Sequence, residues 1–276
     1  MSVLEHLGIN PQVVRKLLVN FIRQEVGKTG YSRGVVGLSG GVDSSLVAYL
    51  AAEALGKENL VGVLMPYRTS DPQSEADAQT VVAALGIPSR RLEITGLVEP
   101  YFAACPGLNQ RRRGNIMARA RMLVLYDQAA DVGGLVIGTS NRTETLLGYT
   151  TVYGDNAAAI HPIADLFKAQ VRQLATAVGV PQGIVHKAPS ADLWAGQTDE
   201  GELGFTYDDA DQILYLLYDQ RHPAAEVAAL GFDAGLVQRI AQLVQRNQFK
   251  RQPPVIAKVG PRTVGLDFLY ARDWGT

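Results

Sequence analysis

The sequence predicts an α/β fold in which a doubly wound, mostly parallel sheet carries helices on both faces. Apolar runs of strand length alternate with longer segments whose apolar residues recur at helical spacing. A glycine-serine turn joins the first predicted strand to the next helix. The 276 residues, of which 47% are hydrophobic and 19% charged, allow a large core. We therefore expect one domain over residues 1–276.

The predicted elements begin with a helix at Asn10 and Pro11, a capping residue followed by proline in the first turn. Then follow strand 34–38, helix 46–55, strand 60–65, helix 74–85, strand 91–94, helix 115–130, strand 135–138, helix 164–178 and helix 207–219. Because a crossover between parallel strands is right-handed, these helices should cover both faces of the sheet.

The loops 39–45, 66–73 and 139–149 follow three of the predicted strands. Ligands bind at the carboxyl ends of strands in such sheets, so we expect the chemistry there. Residues 187–204 belong to an irregular segment rich in glycine, proline and acids, which indicates a mobile active-site loop. A tail without clear periodicity begins at about residue 252.

The composition indicates small-molecule partners. A net charge of -1 gives no basic footprint for nucleic acid. The sequence contains neither a secretory leader nor a run of about 20 apolar residues, so we expect no membrane contact. Cys105 is the only cysteine, which excludes an internal disulfide and fits a reducing cytoplasm.

The sharpest motif lies between the first predicted strand and its helix. It consists of Ser39, Gly40, Gly41, Val42, Asp43, Ser44 and Ser45. Paired glycines allow close backbone approach, hydroxyls add donors, and a helix N-terminus favours negative charge, so the loop is a candidate phosphate site. Asp43 would repel phosphate unless a cation intervened, and we therefore assign it to Mg²⁺. A simple helix cap needs only one such residue and explains neither the glycine pair nor the acid.

This loop resembles the signature loop of the N-type ATP pyrophosphatases, which split ATP between the α and β phosphates. Further runs resemble the NAD synthetase family of that superfamily, in order along nearly the whole chain: 115–121, 138–144, 147–149, 153–155, 162–163, 166–168, 188–194, 196–204 and 249–251. The resemblance implies an adenine nucleotide alpha-hydrolase-like, Rossmann-like fold. It also implies ATP-dependent amidation of deamido-NAD through an NAD-adenylate, with release of AMP and pyrophosphate.

The resemblance also implies residue roles. Asp43, Glu144 and Lys168 would be catalytic, with Asp43 and Glu144 holding Mg²⁺. ATP would be bound by residues 39–45 together with Thr139, Lys168 and Ser190. Deamido-NAD would be bound by Asn115, Arg119, Arg121, Asp155 and Lys250. The chain departs from the family where Asn156 to Ala159 replace glycines and a second acid, and where Phe249 replaces a frequent histidine.

Two assembly properties are expected as well. The pyrophosphatase unit begins near residue 30, so we expect no amidotransferase domain ahead of it and hence ammonia as the nitrogen source. The family resemblance implies a homodimer.

Other functions stay open beside this one. The chain can be a pyrophosphatase for another acceptor, such as a GMP synthetase-like enzyme, or a non-catalytic adenine-nucleotide sensor. A tRNA-thiolating enzyme would need a basic face and paired cysteines, which are missing. The run Arg111 to Arg113 is interpreted as a solvated loop.

Overall fold

The fold is known from a computed structural model that describes residues 3–194 and 196–263, with the backbone alone for residues 4 and 5. Its sheet contains β1 (Arg33–Gly37), β2 (Leu60–Leu64), β3 (Ser89–Arg91) and β4 (Gly134–Val136). These strands are parallel and lie in the order β3-β2-β1-β4. A parallel bridge between Ile137 and Ile160 continues the pairing just after β4.

The helices of the described ranges occupy much of the remaining chain. They are α1 (Val3–His6), α2 (Pro11–Lys28), α3 (Val42–Leu55), α4 (Pro72–Leu85), α5 (Thr95–Ala104), α6 (Gln110–Val132), α7 (Arg142–Leu147), α8 (Lys168–Val178), α9 (Gln182–Val185), α10 (Asp199–Leu203), α11 (Tyr207–Leu214), α12 (Ala224–Ala229) and α13 (Ala234–Arg246). Short 3₁₀ turns cover Lys57–Asn59 and Gln248–Arg251, and a π turn, Tyr215–Asp219, follows α11.

Helices cover both faces of the sheet, as predicted. Val35 and Val36 are adjacent in β1 and both fully buried, but they point to opposite faces. Val36 belongs to an apolar cluster with α2, α3, α4 and α8, whereas Val35 belongs to one with α5 and α6. Burial on both faces explains why the strands are apolar without alternation. The α/β fold class with a doubly wound parallel sheet is confirmed.

A third apolar cluster contains no strand residue and joins α7, α10, α11, α12 and α13; it is called the helical cluster below. Leu147 from α7 and Phe167, just before α8, are buried in it. Since α7 and α8 carry two of the predicted catalytic side chains, this cluster supports one side of the candidate site.

Several predicted boundaries were wrong. The strand predicted at 91–94 is β3, Ser89–Arg91, which pairs with β2 from Gly62 to Leu64. The helix predicted from 164 begins at Lys168, and the helix predicted to run to 219 gives way to a π turn after Leu214. The predicted loop 139–149 contains α7, because Asn141 and Glu144 form a capping box.

Residues 252–263 of the predicted tail form neither helix nor strand. The rest of that tail, and residue 195 of the predicted mobile loop, lie outside the described residues. Among the helices that are described, none combines the length and the apolar character that crossing a bilayer requires.

Candidate functional site

A cleft of about 1160 Å³ opens at the carboxyl edge of the sheet. The loops after β1, β2 and β4 line it, together with the segment 187–194. The three loops predicted to share this edge therefore meet in one cavity. Both the glycine-serine loop and the runs from 115 and 138 contribute residues to its walls.

Gly40 gives the glycine-serine loop its shape. Its φ is +76°, and a Cβ at this position would lie 2.1 Å from the carbonyl oxygen of Ser74. Only glycine fits such a conformation against a neighbouring backbone. Ser44 Oγ then donates to Gly41 O at 3.1 Å and accepts from the Ser39 N–H at 3.3 Å, which closes the loop over the first turn of α3.

The loop divides into residues that face the cleft and residues that support them. Those lining the cleft are Ser39, Gly41, Val42, Asp43 and Ser44. Gly40 and Ser45 are not among the lining residues. Ser45 is fully buried and its Oγ donates to Gly41 O at 2.8 Å, so its side chain supports the loop instead of facing a ligand.

Lys168 joins the two predicted metal-binding carboxylates. Its Nζ lies 2.5 Å from Asp43 Oδ2 and 3.1 Å from Glu144 Oε1, and the side chain is 2% exposed. The ring of Tyr207 covers the ammonium at 4.8 Å. Burial alone would lower the pKa of Lys168, but Asp43 and Glu144 outweigh it and raise that pKa. Lys168 is thus a permanent cation at the base of the cleft.

Asn141 was not predicted as a site residue, yet it organises this centre. Its Oδ1 accepts from the Glu144 N–H at 2.9 Å, and its Nδ2 donates to Asp43 Oδ1 at 2.8 Å. The asparagine is fully buried. Its signal in the sequence was local: an asparagine three residues before a glutamate is a capping box.

The centre holds more negative than positive charge. Asp43, Glu144 and the nearby Asp199 surround one ammonium. Burial raises the pKa of Glu144 to about 7; Lys168 opposes that rise, and Asp43 and Asp199 add to it. This excess of carboxylate fits a hard divalent cation.

The protein supplies only part of a metal shell. Within the described ranges, no three His, Cys, Asp or Glu side chains lie close enough to hold a metal ion. Asp43 and Glu144 fit Mg²⁺ as two protein ligands, because Mg²⁺ usually takes one or two carboxylates and completes its shell with phosphate oxygens and water.

Residues 187–204, the predicted mobile loop and named the lid segment below, contribute side chains to the wall of the cleft. At its start, Lys187 Nζ pairs with Asp77 Oδ2 of α4 at 2.7 Å. Further along, both carboxylate oxygens of Asp192 accept from the Asp71 N–H, at 3.1 and 3.2 Å. Ser190, a predicted ATP contact, lines the cleft, but its Oγ donates to Gln197 O at 2.7 Å within the segment.

Asp199 links the lid segment to the catalytic centre, a connection that was not predicted. Its carboxylate is 5% exposed and accepts from the Tyr207 hydroxyl at 3.1 Å and from the Ala191 N–H at 3.1 Å. Burial raises the pKa of Asp199, while Lys168 opposes the shift. In this arrangement the segment places a third carboxylate near Lys168.

The residues predicted to bind deamido-NAD line the other part of the cleft. They are Asn115, Arg119, Arg121, Asp155 and Lys250, and Thr139 and Arg111 line the cleft as well. Arg111 had been interpreted as a solvated loop residue. Because Arg111 lines the cleft, it adds a cation to the wall, and the run of three arginines did not by itself predict that role.

Several of these side chains also hold the loop 148–155. Asp155 Oδ1 accepts from the Thr151 N–H at 2.7 Å, and Thr151 Oγ1 donates to Asn115 Oδ1 at 3.0 Å. Lys250 Nζ donates to Gly148 O at 2.6 Å and Thr150 O at 2.9 Å. Burial raises the pKa of Asp155 and lowers that of Lys250.

Chemically, the cleft places a candidate phosphate-binding loop, a buried ammonium and two carboxylates that fit Mg²⁺ beside a wall with several cations. That arrangement fits a nucleoside triphosphate next to a second anionic substrate.

Comparisons with known proteins agree with this site. The family model described as NAD synthase matches residues 14–254. The NH(3)-dependent NAD(+) synthetase of Trichlorobacter lovleyi is 55% identical over 99% of this chain and 100% of that protein. The structure of NMN synthetase from Francisella tularensis has a TM-score of 0.81 at 33% identity, covering 91% of this chain and 99% of that one.

The NH3-dependent NAD synthetase from Campylobacter jejuni, solved with a nitrate ion, has a TM-score of 0.78 at 31% identity over 91% of this chain and all of that one. The family match spans every part of the cleft described above, from the glycine-serine loop to Lys250. This chain is a member of the NAD synthase family.

Proposed function

We propose that the chain is an ammonia-dependent NAD synthetase, which uses ATP to convert the carboxylate of deamido-NAD into the amide of NAD. The observation that carries this proposal is Lys168, buried between Asp43 and Glu144 beside the glycine-serine loop. The name of the Trichlorobacter lovleyi relative supports the same activity.

The reaction needs activation because a carboxylate cannot expel oxide at neutral pH. A carboxylate oxygen of deamido-NAD attacks the α-phosphorus of ATP, the α–β bond breaks and pyrophosphate leaves. Ammonia then attacks the carbonyl of the adenylate, loses a proton, and AMP departs. The energy of the α–β bond is thereby transferred to amide formation.

The residues of the chain supply binding and charge. The loop N–H groups and the N-terminus of α3 hold the phosphates, and Lys168 stabilises negative charge on the departing pyrophosphate. Mg²⁺, held by Asp43 and Glu144, would supply further charge neutralisation at these oxygens. The lid segment excludes water, which would otherwise hydrolyse the adenylate.

The acceptor would lie against the wall that contains Asn115, Arg119, Arg121, Asp155 and Lys250. Deamido-NAD carries its own pyrophosphate, so arginine side chains in this wall fit it. Thr139 and Ser190, which both line the cleft, would contact ATP.

The chain would act as a homodimer in the cytoplasm. Leu97 and Tyr101 on α5 are 52% and 51% exposed, and Leu123 and Tyr126 on the contacting α6 are 58% and 43% exposed. Apolar side chains grouped on neighbouring helices favour a protein interface. Sedimentation of the wild type should give a dimer and sedimentation of Leu97→Glu/Leu123→Glu a monomer; a wild-type monomer would refute this assembly.

The activity is tested by incubating the protein with ATP, Mg²⁺, ammonium and deamido-NAD while following NAD, AMP and pyrophosphate. We expect the three products in equal amounts. Formation of AMP and pyrophosphate without NAD would show that the enzyme acts on another acceptor. No ATP turnover with any acceptor would favour the non-catalytic adenine-nucleotide sensor.

A mononucleotide acceptor is the second candidate, because the Francisella tularensis structure with the TM-score of 0.81 is an NMN synthetase. The same assay with nicotinate mononucleotide decides between them. We expect a higher kcat/KM for deamido-NAD, and a higher value for the mononucleotide would reassign the substrate.

A further inference from the structure

Helix α8 lacks a capping side chain for the N–H groups of its first two residues, although Gln170 Oε1 within the helix accepts from the Phe167 N–H at 2.9 Å. Its first residue is the catalytic Lys168, and the capping position is occupied by Phe167, whose side chain accepts no hydrogen bond. The first N–H groups of a helix need acceptors, above all where the helix end is buried. Phe167 is 1% exposed, so water does not supply them here.

Side chains from two other helices take this role. The Lys168 N–H donates to Thr143 Oγ1 of α7 at 3.0 Å, and the Ala169 N–H donates to Asp211 Oδ2 of α11 at 2.8 Å. The Thr143 hydroxyl then donates to Asp211 Oδ1 at 2.5 Å, which closes the network. Thr143 and Asp211 are both fully buried.

The network ends beside the catalytic groups. Thr143 directly precedes Glu144, and Ala169 directly follows Lys168. The Thr143–Asp211 unit therefore sets the spacing between the first turns of α7 and α8. The 3.1 Å separation of Lys168 Nζ and Glu144 Oε1 depends in part on that spacing.

A buried carboxylate is an energetically costly acceptor for the first N–H groups of a helix. Asp211 lies beside the apolar side chains of the helical cluster, and burial raises its pKa to about 6, although hydrogen bonds from Thr143 and Ala169 oppose the shift. A serine or asparagine at position 167 would cap α8 without burying a charge. The carboxylate does what such a local cap cannot, because it connects α8 to both α7 and α11.

We propose that Thr143 and Asp211 are positioning residues of the reaction, which hold Lys168 and Glu144 at their working distance without touching substrate. This inference rests on the proposed function, since it assigns Lys168 its role on the pyrophosphate. It predicts that the hydroxyl of Thr143 matters for turnover more than for substrate binding.

The test compares Thr143→Val, which keeps the shape and removes the hydroxyl, with Thr143→Ser, which keeps the hydroxyl. We expect kcat to fall about 10- to 100-fold in Thr143→Val, with little change in KM for ATP, because small displacements of catalytic groups are costly in rate. Thr143→Ser should return kcat close to the wild-type value.

Val237→Ala is the matched control, because Val237 is buried in the same helical cluster but belongs to α13. It should lower Tm as Thr143→Val does and leave kcat unchanged. An unchanged kcat in folded Thr143→Val, or an equal fall in Val237→Ala, would reduce the network to a structural role and overturn the proposal.

Amide hydrogen exchange separates this inference from the proposed function. Faster exchange of a peptide covering residues 167–171 is expected in Thr143→Val and not in Val237→Ala, whichever substrate the enzyme uses. Wild-type protein that makes no NAD would refute the proposed function alone, whereas unchanged exchange in Thr143→Val would refute the network.

Discussion

Lys168 and Asp43 lie 125 positions apart in the chain, yet the Lys168 ammonium donates to the Asp43 carboxylate at 2.5 Å. The pair joins the N-terminus of α8 to that of α3, two of the helices whose first turns contribute residues to the cleft. The Lys168 ammonium, which would neutralise charge on the bound phosphates, therefore contacts the glycine-serine loop directly through Asp43. Changes to this pair should affect stability and turnover together.

Lys168→Met is expected to lower the free energy of unfolding by about 3 kcal/mol, because Asp43 and Glu144 lose their buried cation. It should also lower kcat at least about 100-fold through the lost stabilisation of pyrophosphate. Denaturant unfolding and steady-state kinetics measure the two effects. Lys28→Met is the control, since Lys28 forms an exposed pair with Glu25 at 2.7 Å and should cost less than about 1 kcal/mol.

Adding Asp43→Asn to Lys168→Met should restore part of the lost stability and none of the activity. Asp43→Asn removes one of the carboxylates that Lys168→Met leaves unpaired, but it also removes a predicted metal ligand. A double variant as unstable as the single one would contradict this account of the pair.

Gly40→Ala should weaken ATP binding, because the added Cβ would lie 2.1 Å from Ser74 O. Gly133→Ala isolates the backbone cost, since Gly133 also has a positive φ, +61°, and has no neighbour within 4 Å of the added Cβ. Gly133→Ala should lose about 1–3 kcal/mol of stability, and Gly40→Ala should lose more because of the clash. Calorimetric titration with ATP should show lower affinity in Gly40→Ala alone, and equal affinity in the two variants would argue against the clash.

Substitutions at the predicted metal ligand and at the predicted acceptor contact should change different kinetic parameters. Glu144→Gln is expected to raise the Mg²⁺ concentration needed for half-maximal turnover, because it removes a carboxylate ligand. Asp155→Asn should instead change KM for deamido-NAD and leave the Mg²⁺ requirement near that of the wild type. Titrations of Mg²⁺ and of acceptor on both variants check this, and a shared response would mean that the two residues act on one ligand.

Lys187→Ala should lower the yield of NAD per AMP formed. Without its contact to Asp77 at 2.7 Å, the lid segment opens more often and water reaches the adenylate. Exchanging the charges in Lys187→Asp/Asp77→Lys should recover part of the yield. The exposed pair between Arg15 and Glu53 offers a control in Arg15→Ala, which should leave the yield unchanged.

Asp211 should give the stability a pH dependence that Asp211→Asn lacks. Its pKa is raised by burial from an ordinary 3.8 to about 6 in the folded chain, so the folded state binds its proton more tightly. The stability that Asp211 contributes is then fully present below the pKa of Asp211 in the unfolded chain, and it is lost as the pH rises through about 6. Unfolding free energies of wild type minus variant should therefore fall from pH 4 to pH 6, and a difference that rises with pH would reverse the sign.

The alternation of strands and helices was predictable because each element is local. The glycine-serine loop was equally legible, since Gly40 and Asp43 lie within four residues of each other between a strand and a helix. The α/β fold predicted on that basis is confirmed by the parallel sheet, and the family is confirmed by the comparisons. The individual site residues stay predictions for the experiments above.

What sequence could not supply were relationships between distant residues. Asp211 acquires its role from Thr143 and Ala169, which lie 68 and 42 positions away, and no spacing near Asp211 indicates it. The boundary of α8 was missed for the same reason, because the acceptors for the Lys168 and Ala169 N–H groups come from α7 and α11. Helix α13 has apolar residues at helical spacing, so the sequence was sufficient to predict it.

The pairing of β1 with β4, in which Arg33 lies opposite Gly134, has a kinetic consequence. The glycine-serine loop needs only the first two strands, α3 and the start of α4, which are close in the chain, whereas Glu144 and Lys168 reach it after β4 has joined across a long intervening segment. Long-range closure is slow relative to local structure formation. During refolding, helical signal should therefore recover before turnover, and the return of enzyme activity should report the last step of assembly.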